Sequence, residues 1–347
     1  MRHLDSLTIG AFRGLRDVKL EGLGSVNVLV GDNNSGKTSV LEALALFARP
    51  FDDMNWFRCA SYRDLGGKSS PFREAVKYWF PSGSDWDDSA AIKIDGLFDS
   101  NDIANVVANA ELGFEMDPDN AGLPKSYIKM TLSRKFKSSD TIAHISVFDK
   151  GIIGSAVQAE MLPLNLISPI DHRSTTILIQ EVSNTILNDN KNIVIESLRL
   201  FDAQIDDFQI LAKDGINARV FLQHRTLGLV PQTLFGDGLR RALTFALAIP
   251  RATSGLLLID EIETAIHPNA LSKLFGWLVK VCEHNDIQLF CTTHSLEAVD
   301  ALMAAETDHP GDIVVHRLEH TDNGTVATRI RGELLREMRY DFGMDVR

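Results

Sequence analysis

Apolar and polar positions alternate in two stretches near the start of the chain, "LTIGAF" and "VKLEGL", joined by "RGLRD". They give way to the short apolar run "VNVLVG". A period of two predicts half-buried strands, and an unbroken apolar run ending at glycine predicts a strand buried on both faces. From Lys37 the period changes, because "KTSVLEALALFA" places Val40, Leu41, Leu44 and Phe47 at helical spacing. The opening therefore reads as strand, glycine-bounded loop, helix. Beyond residue 250, "GLLLID" and "IQLFCTTH" are apolar runs suited to central parallel strands, with "NALSKLFGWLVKVCEH" as the crossover helix between them. "IVVHRLEHTDNGTVATRI" predicts a closing hairpin with its turn at "DNG". The pattern is that of an α/β protein with a mixed sheet.

The middle of the chain breaks this alternation. From about residue 51 it turns aromatic, polar and turn-rich, and then "AAIKIDGLF", "YIKMTLSRKF" and "IAHISVFD" read as strands, with a helix predicted over "NDIANVVANAEL". Residues 51–165 are thus expected to form an insertion with a small sheet of its own. After "LNLISPI", helices are predicted at "TTILIQEVSNTIL" and "NIVIESLRLFD", and a strand pair around "FQILAKDGINARVFLQH".

At 347 residues the chain is longer than one hydrophobic core usually grows, which agrees with a head carrying an inserted subdomain. A net charge of -12 argues against a uniformly basic nucleic-acid binder but leaves room for local basic patches. Cys59, Cys282 and Cys291 are too scattered for a disulfide framework or a Cys-x-x-Cys metal pair, so a reducing compartment is expected. The first residues are charged and alternating, and no apolar run approaches the ~18 residues of a membrane span. A cytoplasmic protein without a membrane partner is the expectation.

"GDNNSGKTS" matches G-x-x-x-x-G-K-[ST] and lies between an apolar strand and an amphipathic helix, the context this motif requires. Backbone N–H groups from Gly31, Asn33, Asn34, Ser35 and Gly36 through Ser39 would wrap phosphates at the helix N-terminus. Lys37 would reach the β- and γ-phosphates, and Thr38 would coordinate magnesium. ATP with Mg2+ is the expected ligand, since no N-K-x-D-type guanine-reading segment appears. "GLLLIDEIE" brings Asp260 and Glu261 to the end of a buried strand, where ligands bind in open α/β sheets. Asp260 suits the surroundings of the metal, and Glu261 suits a base or an orienting group for the attacking water. "IQLFCTTHS" delivers Thr293 and His294 to the same edge; the histidine is either structural or a contact to the γ-phosphate.

One further segment, "LFGDGLRRALTFALAI", sets an aspartate between glycines ahead of a helix-like run. Alone it reads as a turn, with Asp237 as a helix cap, followed by a core helix. In the order "GDNNSGKT", "FGDGLRR", "LLLIDEIETAIHP", "CTTHS", the chain resembles the ABC-type ATPases of the RecF, SMC and OLD (overcoming lysogenisation defect) group. "FRGLRDVKL" resembles that group's N-terminal hairpin. The resemblance covers 1–50 and 195–347, the ATPase head, and leaves 51–194 as an inserted α+β and helical arm.

This resemblance implies a P-loop NTPase of ABC type, in which two heads sandwich nucleotide head to tail as a homodimer or a higher even oligomer. Gly236, Asp237 and Gly238 then take the signature position and serve the partner's ATP, with Arg240 and Arg241 as interface candidates. The usual serine is missing, and Asp237 would repel phosphate unless it caps the helix or meets a cation. "ETAIHP" stands in the D-loop place and makes Glu263 and His267 interface candidates, or merely a solvated helix start. The family's Q-loop glutamine is open among Gln158, Gln180, Gln204 and Gln232. OLD proteins continue into a Toprim nuclease domain, and no Asp-x-Asp signature follows here. The chain therefore resembles the stand-alone ATPases of bacterial anti-phage defence operons, which work with a separate nuclease or toxin; a truncated longer protein would look the same. The basic run "SRKFK", 133–137, is a DNA contact or a solvated strand face, and Arg173 meets phosphate or pairs with Asp171. The expected function is a magnesium-dependent ATPase controlling an effector or a nucleic-acid-linked process. A nucleotide-gated scaffold with little turnover and a RecF-like repair ATPase are the alternatives.

Overall fold

The computed structural model describes residues 3–61, 72–81, 91–116, 124–149, 151–154, 157, 160–212, 217–305, 312–322 and 324–347. Its centre is a six-stranded mixed sheet. Strands β3 (Val26–Val30), β9 (Leu164–Ile167), β13 (Leu256–Ile259), β14 (Gln288–Thr292) and β15 (Ile313–Thr321) run parallel, and β16 (Gly324–Arg331) closes the edge antiparallel to β15, in the order β16-β15-β3-β14-β13-β9. Every residue of β3, β13 and β14 is buried, because both faces are covered. Val28, Leu257, Leu289 and Cys291 face a core built with α6 (Asp237–Ala252), α7 (Pro268–His284) and α8 (Leu296–Met303). Leu29, Leu256, Leu258 and Phe290 face the opposite core, with α1 (Lys37–Ala48), α2 (Asp53–Ser61) and a second sheet.

That second sheet has seven antiparallel strands in the order β2-β1-β4-β5-β6-β7-β8. They are β1 (Leu4–Phe12), β2 (Leu15–Glu21), β4 (Ala91–Phe98), β5 (Ile103–Met116), β6 (Pro124–Phe136), β7 (Ser139–Phe148) and β8 (Gly151–Gly154). Two expectations are corrected here. The segment from residue 51 to 165 does not form a sheet of its own: β4 pairs with β1, so its strands continue the N-terminal hairpin. "NDIANVVANAEL" contributes strand β5 rather than a helix. Ala104, Val106 and Ala108 alternate inward, while β4 and β6 take up its backbone groups on both edges. Strand β9 also comes from the 51–194 stretch, yet it pairs with β13 in the central sheet. Helix α3 (Phe72–Lys77) lies beneath the arm strands, and Trp79, just after it, packs against Trp56 with the rings tilted and their centres 5.3 Å apart.

A third layer joins β10 (Ile205–Leu211), β11 (Arg219–His224) and β12 (Gly228–Pro231) to α4 (Thr175–Leu187) and α5 (Lys191–Arg199). Its apolar residues, among them Val182, Leu198 and Phe208, pack on Leu239, Leu243 and Leu247 of α6. Helix α9 (Gly332–Arg336) follows the closing hairpin. No helix among the described residues is long and apolar enough to cross a membrane. All three cysteines are buried thiols, and burial pushes Cys282 up to about 12.

His316 on β15 is 1% exposed, and its Nε2 has no hydrogen-bond partner among the described residues. Burial, helped by the charge of Arg329, pushes its pKa from 6.5 down to about 4. Between these values the unfolded chain takes a proton that the folded chain refuses. The stabilisation is therefore complete above pH 6.5 and is lost as pH falls towards 4, by up to about 3 kcal/mol. Urea unfolding at pH 7 and pH 5 should show this loss, and His316→Gln should flatten it.

Candidate nucleotide-binding site

Strand β3 ends at Gly31, whose φ is +138°. A Cβ there would lie 2.2 Å from the Leu318 carbonyl oxygen of β15, so the strand can turn into the loop only at glycine. The loop turns back through Asn34 and Gly36, at φ +65° and +99°, and α1 begins at Lys37. Gly36 caps α1 with no side-chain hydrogen bond. Asn33 and Asn34 are exposed, whereas Ser35 and Ser39 are buried beneath the loop. The first-turn N–H groups have no helical carbonyl before them and suit an anion. Lys37 is 6% exposed, and its ammonium donates to the carbonyls of Gly31 (2.8 Å) and Asp32 (2.7 Å). Burial lowers its pKa, offset by the carboxylates of Asp260, Asp32, Glu261 and Glu263.

Asp260, Glu261 and Thr292 stand at the ends of β13 and β14, and Asp260 reaches Thr38. The Thr38 hydroxyl donates to Asp260 at 3.0 Å, and the Thr292 hydroxyl donates to the same carboxylate at 2.5 Å. Thr292 Oγ1 also accepts the Glu261 N–H at 2.8 Å. Thr292 thus fixes both acids, although the sequence drew attention only to its neighbours; its signal was a polar residue ending an apolar strand. Glu261 sits at φ +46°, rare for a residue with a long side chain, and its carboxylate accepts from the Thr264 hydroxyl at 2.9 Å.

A hydroxyl and a carboxylate in contact are hard oxygen donors of the kind Mg2+ takes, with the remaining positions left to phosphate and water. No group of three or more His, Cys, Asp or Glu among the described residues could hold a metal by itself.

His294 follows β14 half-buried; its N–H donates to Glu263 at 2.9 Å and its carbonyl accepts from Arg347 at 2.9 Å. Glu263 is half-buried, with one carboxylate oxygen on the His294 backbone. His267 is exposed and caps α7, Nδ1 accepting the Asn269 N–H at 3.2 Å.

The glycine-flanked segment forms the start of α6. Gly236 is its exposed cap, extended at φ -62°, and a Cβ on it would meet nothing within 4 Å. Gly238 sits closer, with Phe201 3.3 Å from its Cβ position. Asp237 does not cap the helix but meets two cations, Arg240 at 2.9 Å and Arg173 at 3.2 Å. Arg173 is accordingly engaged by Asp237 and not by Asp171, whose carboxylate accepts from the N–H and hydroxyl of Ser168. Arg241 is corrected as an interface candidate. One position further round the helix than Arg240, it turns inward, is 0% exposed, and bonds the carbonyls of Ser168, Asp260 and Glu261. His172 is buried beside it, and burial followed by the Arg241 charge lowers its pKa.

Gln158 lies outside the described residues. Gln180 is exposed on α4, Gln204 accepts from the Thr226 hydroxyl, and Gln232 is buried just before the Gly236 turn. The carboxyl end of β9, beside Asp260, continues into Ser168–Arg173, which holds no glutamine. The basic run at 133–137 is dispersed: Arg134 is buried over Phe51, and Lys137 pairs with Asp102 at 3.2 Å.

The profile of the family described as "AAA domain, putative AbiEii toxin, Type IV TA system" matches residues 26–300. An "ATP/GTP phosphatase" of Helicobacter pylori is 20% identical over 377 residues, 96% of each chain. The Septu protein PtuA of Bacillus thuringiensis is 23% identical over 345 residues, 92% of this chain and 80% of that one. A solved SMC head bound to the C-winged helix domain of ScpA superimposes with a TM-score of 0.49 at 9% identity, over 99% of this chain and 100% of that one.

Proposed function

The chain belongs to the AAA domain family of AbiEii type, and from that membership we propose that it is a magnesium-dependent ATPase whose two heads close on ATP head to tail. The observation that carries the reading is the run of contacts from the phosphate loop to both acids: Thr38 to Asp260, Asp260 to Thr292, Thr292 to Glu261. In this reading Lys37 and the loop N–H groups of Gly31 to Ser39 bind the phosphates. Thr38 and Asp260 hold the metal, which supplies charge neutralisation on the γ-phosphate when bound. Glu261 directs water, and His294 reads the terminal phosphate. The N-terminus of α6, with Gly236, Asp237 and Gly238, completes the partner's site, and the dimer state passes to a separate effector protein in a defence role. The kinship to the Helicobacter phosphatase and to PtuA supports this assignment.

Steady turnover of ATP by the purified chain, dependent on Mg2+ and abolished by EDTA, is the expected result. Lys37→Ala should lower it at least about a hundredfold, since a charge that meets the developing transition state is lost. Undiminished turnover by that variant would sink the assignment.

One observation favours a second reading, a nucleotide-gated scaffold that sequesters a toxin or nuclease. Asp237, at the position the resemblance gives to the signature, carries a charge and already occupies Arg173 and Arg240. Tight Mg·ATP binding without multiple turnover would select it. Repair of DNA has less support, because the basic run at 133–137 is broken by the burial of Arg134; DNA-stimulated turnover would restore it.

A further inference from the structure

We propose that Arg241 is a positioning residue that ties the α6 turn, which serves one nucleotide site, to Glu261, which serves the other, so that the two sites of a head-to-tail pair respond together. The inference rests on the ATPase reading above. Its starting point is a cluster of contacts inside a single chain. The guanidinium of Arg241 donates to the Asp260 carbonyl at 2.9 Å, to the Glu261 carbonyl at 3.3 Å and to the Ser168 carbonyl, and it lies 4.9 Å from the centre of the Phe245 ring. Those carbonyls follow directly on the ends of β13 and β9, and two of them belong to the acids themselves, on the peptide groups before and after Glu261.

Two physical points give the arrangement a purpose beyond folding. A guanidinium fully removed from water adds little net stability, and a well-packed apolar residue commonly serves the fold as well or better. Glu261 is also held in a left-handed conformation that an unrestrained backbone would leave. Its N–H is fixed by the Thr292 hydroxyl, and the next N–H, of Ile262, by the Thr292 carbonyl at 3.0 Å. Arg241 supplies the restraint on the carbonyl side. Its planar fork spans several acceptors at once, which a lysine ammonium on a flexible stem does not reproduce.

Arg241 lies three residues after Gly238, in the opening turns of α6. Pressure on the Gly236–Gly238 turn from a nucleotide held by the partner is therefore delivered through one rigid side chain to the peptide groups flanking Glu261. A shift of about 1 Å there is enough to change the rate by a hundredfold. Strands β13 and β14 stay in register, so the effect falls on the aim of the carboxylate and not on the sheet.

The test compares the wild type with Arg241→Met and Arg241→Lys, and adds a mixed dimer. Arg241→Met should bind Mg·ATP within about threefold of wild type while kcat falls by about tenfold to a hundredfold. In nucleotide-free protein, amide exchange at Glu261 to Thr264 should quicken by tenfold or more, with exchange in β14 unaltered. Arg241→Lys should lie between the two and serves alone if the methionine variant does not fold. In the mixed dimer one chain carries Lys37→Ala and the other carries Arg241→Met, so the one active site pairs an unaltered α6 with a Glu261 that has lost its arginine. Turnover at least fivefold below that of a mixed dimer with Lys37→Ala alone is expected. An unchanged mixed-dimer rate, or unchanged exchange at Glu261, overturns the coupling. A raised KM with unaltered kcat reduces Arg241 to a structural residue and overturns it as well. Absence of ATP turnover in the wild type marks failure of the parent reading and takes the inference with it.

Discussion

Glu261→Gln should slow ATP hydrolysis by about 10²- to 10⁴-fold, the range a positioned base contributes, while Mg·ATP stays bound and the two heads stay closed. The substitution keeps the size of the side chain and removes its charge. Its backbone bonds to Thr292 and Arg241 do not involve the carboxylate, and the amide oxygen can still accept from Thr264. What is lost is the ability to draw a proton from water. Phosphate release measured beside light scattering in excess ATP distinguishes the outcomes: slow release with a persistent dimer is expected, and wild-type release would remove Glu261 from its role.

Gly31→Ala should act on fold and site together. Its φ of +138° lies in a region open to glycine alone, and the added carbon would lie 2.2 Å from a backbone oxygen of β15 that cannot rotate away. Strain and overlap together should destabilise the chain by about 3 kcal/mol or more, and Mg·ATP binding should disappear with the loop's shape. Gly236→Ala is the informative contrast. Its φ of -62° suits alanine and nothing lies within 4 Å of the new carbon, so the melting temperature should stay unchanged. If the turn receives the partner's nucleotide, turnover should nevertheless fall. Equal melting losses in the two variants would contradict this account.

The parts of the molecule that could be read from sequence are those whose burial and chemistry are local. Four unbroken apolar residues, Leu256 to Ile259, set between Gly255 and two acids, suit a short strand covered on both faces, which puts the acids at its end. The phosphate loop announces itself through glycines placed where the backbone turns left-handed. Strand β5 was illegible for the opposite reason. Ile103, Val106, Val107 and Ala110 fall at spacings a helix would also satisfy, and only the flanking β4 and β6 decide the matter. Ile103 ends 60% exposed while the small Ala104 and Ala108 are buried, a pattern that composition alone does not favour. At the α6 turn the two adjacent arginines looked alike, yet one lies at the rim and the other is fully enclosed. Arg173, 64 residues away, was needed to explain how Asp237 is tolerated.

The union of β1 with β4 has a consequence for how the protein can change over time. Because the first strand of the chain is an interior strand of the seven, hydrogen-bonded on both sides, the arm is not a cassette that recombination could lift out whole. Its removal would strip one edge of β1 and uncover the apolar floor under α1. Insertions at β7, β8 or the turns between strands leave the pairing of β1 with β4 intact, whereas a one-residue insertion in β4 would turn its inward side chains to the other face.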